Sequence, residues 1–269
     1  MKHRFTLLFL LSTVILIGIY CVFIEPNLLH ITYWDIGEAQ SRETAKVVYF
    51  ADLHIYSWRP FHDRALRKIA ELQPDCIFFG GDALSKQTNI EALERFFEKL
   101  SGIAPVYAIF GNWENEAPIH MYQRYENLGI HLIEKDTEII EIRGVKIGIT
   151  GVQSHYFFQQ AKNTERLTEA DWKILLVHAP NRLEEYPSFL SAYDLILSAH
   201  THGGQFYIPG ITPLIMQWSG NGSRYLRGQY EIGDTVLYVT RGIGQWFPGR
   251  LFSVPEIVVF ELPVKKEVL

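Results

Sequence analysis

The chain has 269 residues, 48% of them hydrophobic, with a formal net charge of −5 and two cysteines. That length supports one large α/β domain with a full core. The mild acidity and the lack of a long basic run argue against nucleic acid as a partner. Cys21 and Cys76 fall in two unrelated apolar runs, so no disulfide framework is expected.

Phe5 to Ile24 runs for 20 residues without a charge. As a helix it spans about 30 Å, the thickness of one hydrocarbon core. Lys2 and Arg4 precede it, and Cys21-Val22-Phe23-Ile24-Glu25 follows where a signal cleavage site would need small residues. An uncleaved membrane anchor is therefore expected over 1–24. Glu25, Asp35 and Glu38 come next, with Arg42 the only early cation. The positive-inside rule then puts the N-terminus in the cytoplasm and the rest of the chain outside. Residues 25–45 read as a linker and 46–269 as the folded domain.

Within the domain, apolar runs at 47–50, 76–79 and 106–110 read as buried strands. Helices are expected near 62–72 and 89–100, where Leu66, Ile69 and Ala70, and then Leu93, Phe96, Phe97 and Leu100, recur at helical spacing. A helix near 118–128 ends at Gly129. Strands dominate from Ile130 onward, over 138–142, 146–149, 173–178, 194–198, 235–240 and 257–262, interrupted by a helix near 181–190. Alternation first and strands later fits two packed sheets with helices outside.

The ends of these strands carry the chemistry. Asp52-Leu53-His54 follows the first, Gly80-Gly81-Asp82 the second and Gly111-Asn112-Trp113-Glu114 the third. His178 ends the run 174–177, and Ala199-His200-Thr201-His202-Gly203-Gly204-Gln205 follows 195–197. Taken singly, each has a bland reading as a turn, a cap or a core histidine. Together, five strand ends deliver Asp, His and Asn, the donors that suit first-row divalent metals. In open α/β sheets the carboxyl edge of the strands is where sites form.

In this order the segments resemble the calcineurin-like metallophosphoesterases, whose pattern reads D-x-H, G-D, G-N-H-D/E, H and G-H-x-H. The likeness is closest to the small membrane-associated bacterial branch, through His200 to Gln205 and through Arg241-Gly242, Pro248-Gly249-Arg250 and Pro255-Glu256 in the tail. It covers roughly residues 46 to 262. It implies a four-layer α-β-β-α sandwich of two mixed sheets and two divalent metal ions, Mn, Fe or Zn. Asp52, His54 and His202 would hold one ion, and Asn112, His178 and His200 the other, with Asp82 bridging. Two such ions about 3.5–4 Å apart clamp an in-line phosphoryl displacement.

Two positions depart from the pattern. Ala199 stands for a usual Gly, a small change. Trp113 stands for the His thought to protonate the leaving group, and indole donates only and does not titrate usefully. Glu114 is the one nearby substitute, and only if burial raises its pKa. Some members of the UDP-2,3-diacylglucosamine hydrolase branch also lack that His.

The stretch Phe206 to Trp218, with Trp246-Phe247-Pro248 and Leu251-Phe252, is unusually apolar for a site loop. It reads either as a loop packed on its own domain or as an apolar wall that takes an acyl chain or touches the bilayer. The expected protein is thus a membrane-anchored, two-metal phosphoesterase acting on a phosphodiester or pyrophosphate, such as a UDP-diacylglucosamine-like lipid. The alternatives are a phosphomonoesterase on nucleotides or phosphoproteins, and a metal-binding scaffold without activity.

Overall fold

The computed structural model describes residues 2–36, 44–116, 120–218 and 224–264. Glu38 and Arg42, and the side chains of Met216, Gln217 and Trp218, lie outside that set, as does the start of the helix expected from 118.

Helix α1 (Lys2–Ile19) runs on through a wider π-helical turn, Tyr20–Ile24, and a 3-10 turn, Glu25–Asn27. Its apolar side chains are exposed all round, and by length and composition it is long and apolar enough to cross a membrane. The strands are β1 (His30–Tyr33), β2 (Thr44–Phe50), β3 (Cys76–Phe79), β4 (Val106–Ala108), β5 (Ile130–Leu132), β6 (Thr137–Ile142), β7 (Val145–Val152), β8 (Trp172–Val177), β9 (Leu195–Ser198), β10 (Gly228–Ile232), β11 (Thr235–Val239) and β12 (Glu256–Pro263). They form two six-stranded sheets, ordered β1-β12-β2-β3-β4-β5 and β10-β11-β9-β8-β7-β6. Strands β2 to β5 are mutually parallel, as are β7, β8, β9 and β11, while antiparallel pairs β12·β2, β6·β7 and β10·β11 make both sheets mixed.

Alternation along β2 shows why the sheets stack. Val47 and Tyr49 point into a core shared with Ile147, Ile149, Ile174, Leu176 and Leu197 of the other sheet. Val48 and Phe50 point the opposite way, onto α2 (Pro60–Leu72) and α3 (Ile90–Ser101) through Phe61, Ile69, Phe96 and Phe97. Successive strand residues face opposite sides, so a strand covered on both faces is apolar throughout. The short helices α4 (Asn112–Glu116) and α5 (Met121–Asn127) complete that layer. Beyond the second sheet, Leu175, Val177, Ile196 and Val239 are covered by 3-10 turns carrying Phe158, Leu167 and Leu183, and by Leu190 of α6 (Pro187–Leu190).

Two expectations need correction. The segment 25–45 is not a plain linker, because β1 adds to the first sheet beside β12, with His30 paired to Glu256 and Tyr33 to Val259. Trp34 is buried between the sheets against Tyr238 and Phe260. The helix expected over 181–190 is split into a 3-10 turn and α6. Pro187 disfavours helical backbone in the residue before it and donates no hydrogen bond, so no single helix runs through. The two cysteines are buried and free.

Candidate metal centre

All seven residues singled out in the sequence meet at one edge of the sandwich. The parallel strands β2, β3 and β4 end there with Asp52, His54, Asp82 and Asn112, and β8 and β9 with His178, His200 and His202. Backbone bonds lock the ends together: Asp52 N–H donates to Gly81 O at 2.9 Å and Ala199 N–H to His178 O at 2.9 Å. The chain after β11 crosses between the sheets, where Gly244 N–H donates to Asp52 O at 2.7 Å.

Five of the seven sit in left-handed backbone, with φ of 54° at Asp52, 41° at His54, 57° at Asp82, 69° at His200 and 52° at His202. Side chains other than Gly adopt that region at a cost of about 1–3 kcal/mol each, which persists where the surroundings fix it. Close packing does the fixing. A Cβ on Gly111 would lie 2.1 Å from Asp82 Oδ1, so the third strand end reaches the second only because it carries glycine.

The donor atoms form two groups, Asp52 with His54 and His202, and Asp82 with His178 and His200, each within 4.8 Å of one another. His54 Nδ1 lies 2.7 Å from Leu84 O and His178 Nδ1 2.8 Å from Gly80 O. A carbonyl accepts, so each Nδ1 carries a proton and each Nε2 faces inward. Burial would lower His178, but the Asp82 carboxylate outweighs it and raises the ring to about 9, so its Nε2 also holds a proton that a bound cation would displace. His54 Nε2 faces His202 Nε2 at 3.1 Å, and His178 Nε2 faces His200 Nδ1 at 3.2 Å and Asn112 Oδ1 at 3.2 Å. An ion with bonds of about 2.1 Å spans ligand pairs roughly 3.0–3.4 Å apart. Asp82 Oδ2 lies 3.6 Å from His54 Nε2 and 3.2 Å from His178 Nε2, within reach of both groups. Among the described residues, Asp52 Oδ2 is buried with no hydrogen-bond partner. A buried lone carboxylate oxygen beside convergent imidazoles fits a cation.

The electrostatics agree. Burial holds His54 and His202 below the ordinary histidine value, and burial together with the His178 charge takes His200 down to about 4. These three rings are neutral and ready to ligate. Burial raises Asp52 to about 7. Burial would also raise Asp82, but His178, His54 and the Trp113 N–H outweigh it and hold that carboxyl at about 2.

The structure gives Glu114 a different role from the acid considered for it. Its buried carboxylate accepts from the backbone N–H of Gly111 at 2.7 Å, Ala83 at 2.7 Å, Asp82 at 3.0 Å and Leu84 at 3.2 Å. Burial and the Asp82 charge push it up to about 7. With both oxygens occupied by four donors it braces two strand ends and has no free edge toward a substrate. Trp113 is half-buried, with its ring edge-on to His54 at 6.1 Å between centroids.

Sequence reasoning placed Arg250 only within a tail motif and missed its position behind this site. Arg250 is fully buried, donating Nε to Gly244 O at 3.0 Å, Nη1 to Ser253 O at 2.7 Å and Nη2 to Arg241 O at 2.9 Å. Its Nη2 also lies 3.4 Å from His202 Nδ1, and Ser253 Oγ donates to His202 O at 2.6 Å. The tail loop therefore backs one of the candidate ligands.

A family profile described as calcineurin-like phosphoesterase matches residues 45–204. An uncharacterized metallophosphoesterase of Campylobacter jejuni is 30% identical over 86% of this chain, which spans 63% of that protein's length. Phosphodiesterase YaeI of Escherichia coli is 26% identical, over 81% of this chain and 82% of its own. UDP-2,3-diacylglucosamine pyrophosphatase LpxG of Chlamydia trachomatis is 24% identical, over 92% and 93%. Among solved structures, TT1561 of Thermus thermophilus shares the fold at a TM-score of 0.50 and 16% identity, covering 74% of this chain and 90% of that one.

Proposed function

Because this chain belongs to the calcineurin-like phosphoesterase family, and is thus a metal-dependent hydrolase, we propose that it is membrane-anchored and cleaves a pyrophosphate or phosphodiester bond in a lipid-linked substrate. The observation that carries the reading is the reach of Asp82 Oδ2 to both ligand groups at one sheet edge. Asp52, His54 and His202 would hold one divalent ion, and Asn112, His178 and His200 the other, with Asp82 shared. Such a pair supplies charge stabilisation at phosphorus and lowers the pKa of water toward neutrality. Manganese, iron and zinc all suit the donor set.

The protein's own residues narrow the bond. Trp113 cannot deliver a proton, and Glu114 is tied to four backbone donors. An alkoxide leaving group needs a proton as the bond breaks. A phosphate, with a second pKa of about 6, departs unaided. A pyrophosphate bond therefore matches this site, in keeping with the relative named as a UDP-2,3-diacylglucosamine pyrophosphatase.

Lys2 and Arg4 lie in the first turn of α1, ahead of its uncharged run, and residues 25–36 beyond the helix hold no lysine or arginine. That bias favours the extracytoplasmic side for the domain, whereas a cytosolic nucleotide-linked lipid would need it on the cytoplasmic side; protease accessibility in spheroplasts decides between them. The test is turnover by the full chain with Mn²⁺, comparing UDP-diacylglucosamine in vesicles with an aryl phosphodiester and an alkyl phosphomonoester. Cleavage of the pyrophosphate lipid is expected, and release of phosphate from the monoester alone would reject the reading.

A further inference from the structure

The sequence left open whether the apolar stretch after His202 packs on its own domain or faces something else, and the structure leaves much of it bare. Ile208, Ile211, Leu214, Ile215, Trp246 and Phe252 are between 45% and 66% exposed. Ile208 and Ile211 lie on the loop before a short helix, α7 (Thr212–Trp218), Leu214 and Ile215 on that helix, and Trp246 and Phe252 on a second loop. The two segments are joined by the bridge Phe206–Leu251 and by the stacked rings of Phe206 and Phe247, 5.3 Å apart. A cavity of about 290 Å³ opens between them and the metal loop, walled by Thr201 and Gly204 on one side and Phe206 and Trp246 on the other.

The same loops hold the end of α1. Arg250 N–H donates to Cys21 O at 2.9 Å, inside the last helical turns. Glu25 is fully buried, and its carboxylate accepts from Phe252 N–H at 2.9 Å and Ser253 N–H at 2.5 Å. Val22, Phe23, Ile24 and Leu28 stay exposed beside this clamp and extend the bare surface onto the helix. Strand direction says the same. β12 runs antiparallel to β2, and β1 runs parallel to β12. The amino end of β1, where the helix joins, therefore lies at the edge where β2 ends with Asp52.

We propose that the metal edge faces a lipid bilayer, with Ile208, Ile211, Leu214, Ile215, Trp246 and Phe252 seated at the membrane interface beside the end of α1. The proposal rests on the reading of α1 as an anchor. Given that, a helix fixed at Glu25 brings its own clamp to the level where hydrocarbon gives way to headgroups. An exposed apolar patch continuous with that clamp meets lipid there, and Trp246 with Tyr56, whose hydroxyl donates to Trp246 O at 2.8 Å, matches the aromatic preference of that zone. Arg227, over the Tyr207 ring and bonded to Phe252 O, places a cation at the rim for phosphate headgroups. A phosphoryl group at headgroup depth would then reach the metals without leaving the membrane.

The experiment uses the full chain, with Cys21 and Cys76 changed to serine, in phosphatidylethanolamine–phosphatidylglycerol vesicles. An environment-sensitive fluorophore is attached in turn at Leu10→Cys, Leu214→Cys and Glu141→Cys. These report on the helix, the patch and the opposite sheet edge, and all three side chains are exposed. Spin-labelled lipids quench according to depth. Deep quenching at position 10, shallow quenching at 214 of at least twofold and none at 141 is expected. Quenching at 10 with a water-like spectrum at 214 overturns the proposal while the anchor stands. A blue-shifted but unquenched label at 214 also overturns it, since a protein surface would then cover the patch. No quenching at either 10 or 214 removes the anchor reading and this proposal with it.

Discussion

Asp82 is the residue on which the two ligand groups depend, because its Oδ2 faces both and its Oδ1 is fixed by Trp113 N–H at 3.0 Å. Asp82→Asn keeps the shape and removes the charge that offsets two cations. Activity should fall by about 10²–10³-fold or more, as when a transition-state charge partner is removed. Metal analysis after reconstitution should drop from two equivalents per chain to one or none. Two equivalents in the variant would show that the bridge lies elsewhere. Trp113→His restores a titratable ring beside His54. It should raise turnover of alkyl phosphodiesters by about 10²-fold or more, the usual worth of a positioned acid, with little gain on pyrophosphates. Comparing kcat on both substrates in both proteins checks this, and equal gains would refute the leaving-group account. At this scale the sequence was readable where identity matters, since Asp, His and Asn at strand ends announce ligands. It was silent where conformation matters. Nothing in the letters shows that Asp52, His54, Asp82, His200 and His202 adopt left-handed backbone, because packing around them, not their own preference, imposes it.

Helix α2 carries a buried titratable group that is not among the candidate ligands, although it lines a small cavity with His54. His62 packs edge-on to Phe96 and Trp58, and its Nδ1 accepts from Arg59 N–H at 3.1 Å. Burial and then the Arg59 charge lower it to about 4. The unfolded chain takes up a proton near pH 6.5 that the folded one refuses until about pH 4. Stability from this group is therefore intact above pH 6.5 and is lost as pH falls through that window. His62→Gln should flatten the decline in Tm between pH 6.5 and 4, whatever its effect at pH 7. Parallel declines in both proteins would show that His62 contributes nothing. Long elements with strong spacing were legible: the stripe Leu66, Ile69 and Ala70 gave α2 to within two residues of its start, although Ala70 is exposed and Phe61 and Ala65 complete the buried face. β1 was not, since its four residues are only partly buried and show no apolar run. Its pairing with β12, more than two hundred residues away, is decided by tertiary contact.

For the molecule as a whole, the metals are expected to act as folding ligands. Buried imidazoles and carboxylates converge only in the folded state, so saturation at a hundredfold over Kd adds about 2.7 kcal/mol. In a domain of this size that is roughly 5–10 °C in Tm. Thermal unfolding with Mn²⁺ and with a chelator measures it, and coincident curves would argue against a metal centre. Topology is a second whole-chain property. Lys2 and Arg4 lie in the first turn of α1, and Glu25, counted as a flanking charge beyond its far end, is instead buried in the domain, which weakens the charge bias by one. Protease added to intact spheroplasts should digest the domain, and full protection would place it in the cytoplasm.

β1 also governs whether a detergent-free form of this protein can be handled in solution. It shields the outer flank of β12, pairing from His30 to Tyr33 with Glu256 to Val259. A version starting at Ala45 would strip that cover and leave a row of bare peptide groups, an open template for a neighbouring chain. It should polymerise edge to edge on concentration. A version starting at Glu25 keeps both the strand and the carboxylate that holds Phe252 and Ser253, and should stay monodisperse by light scattering.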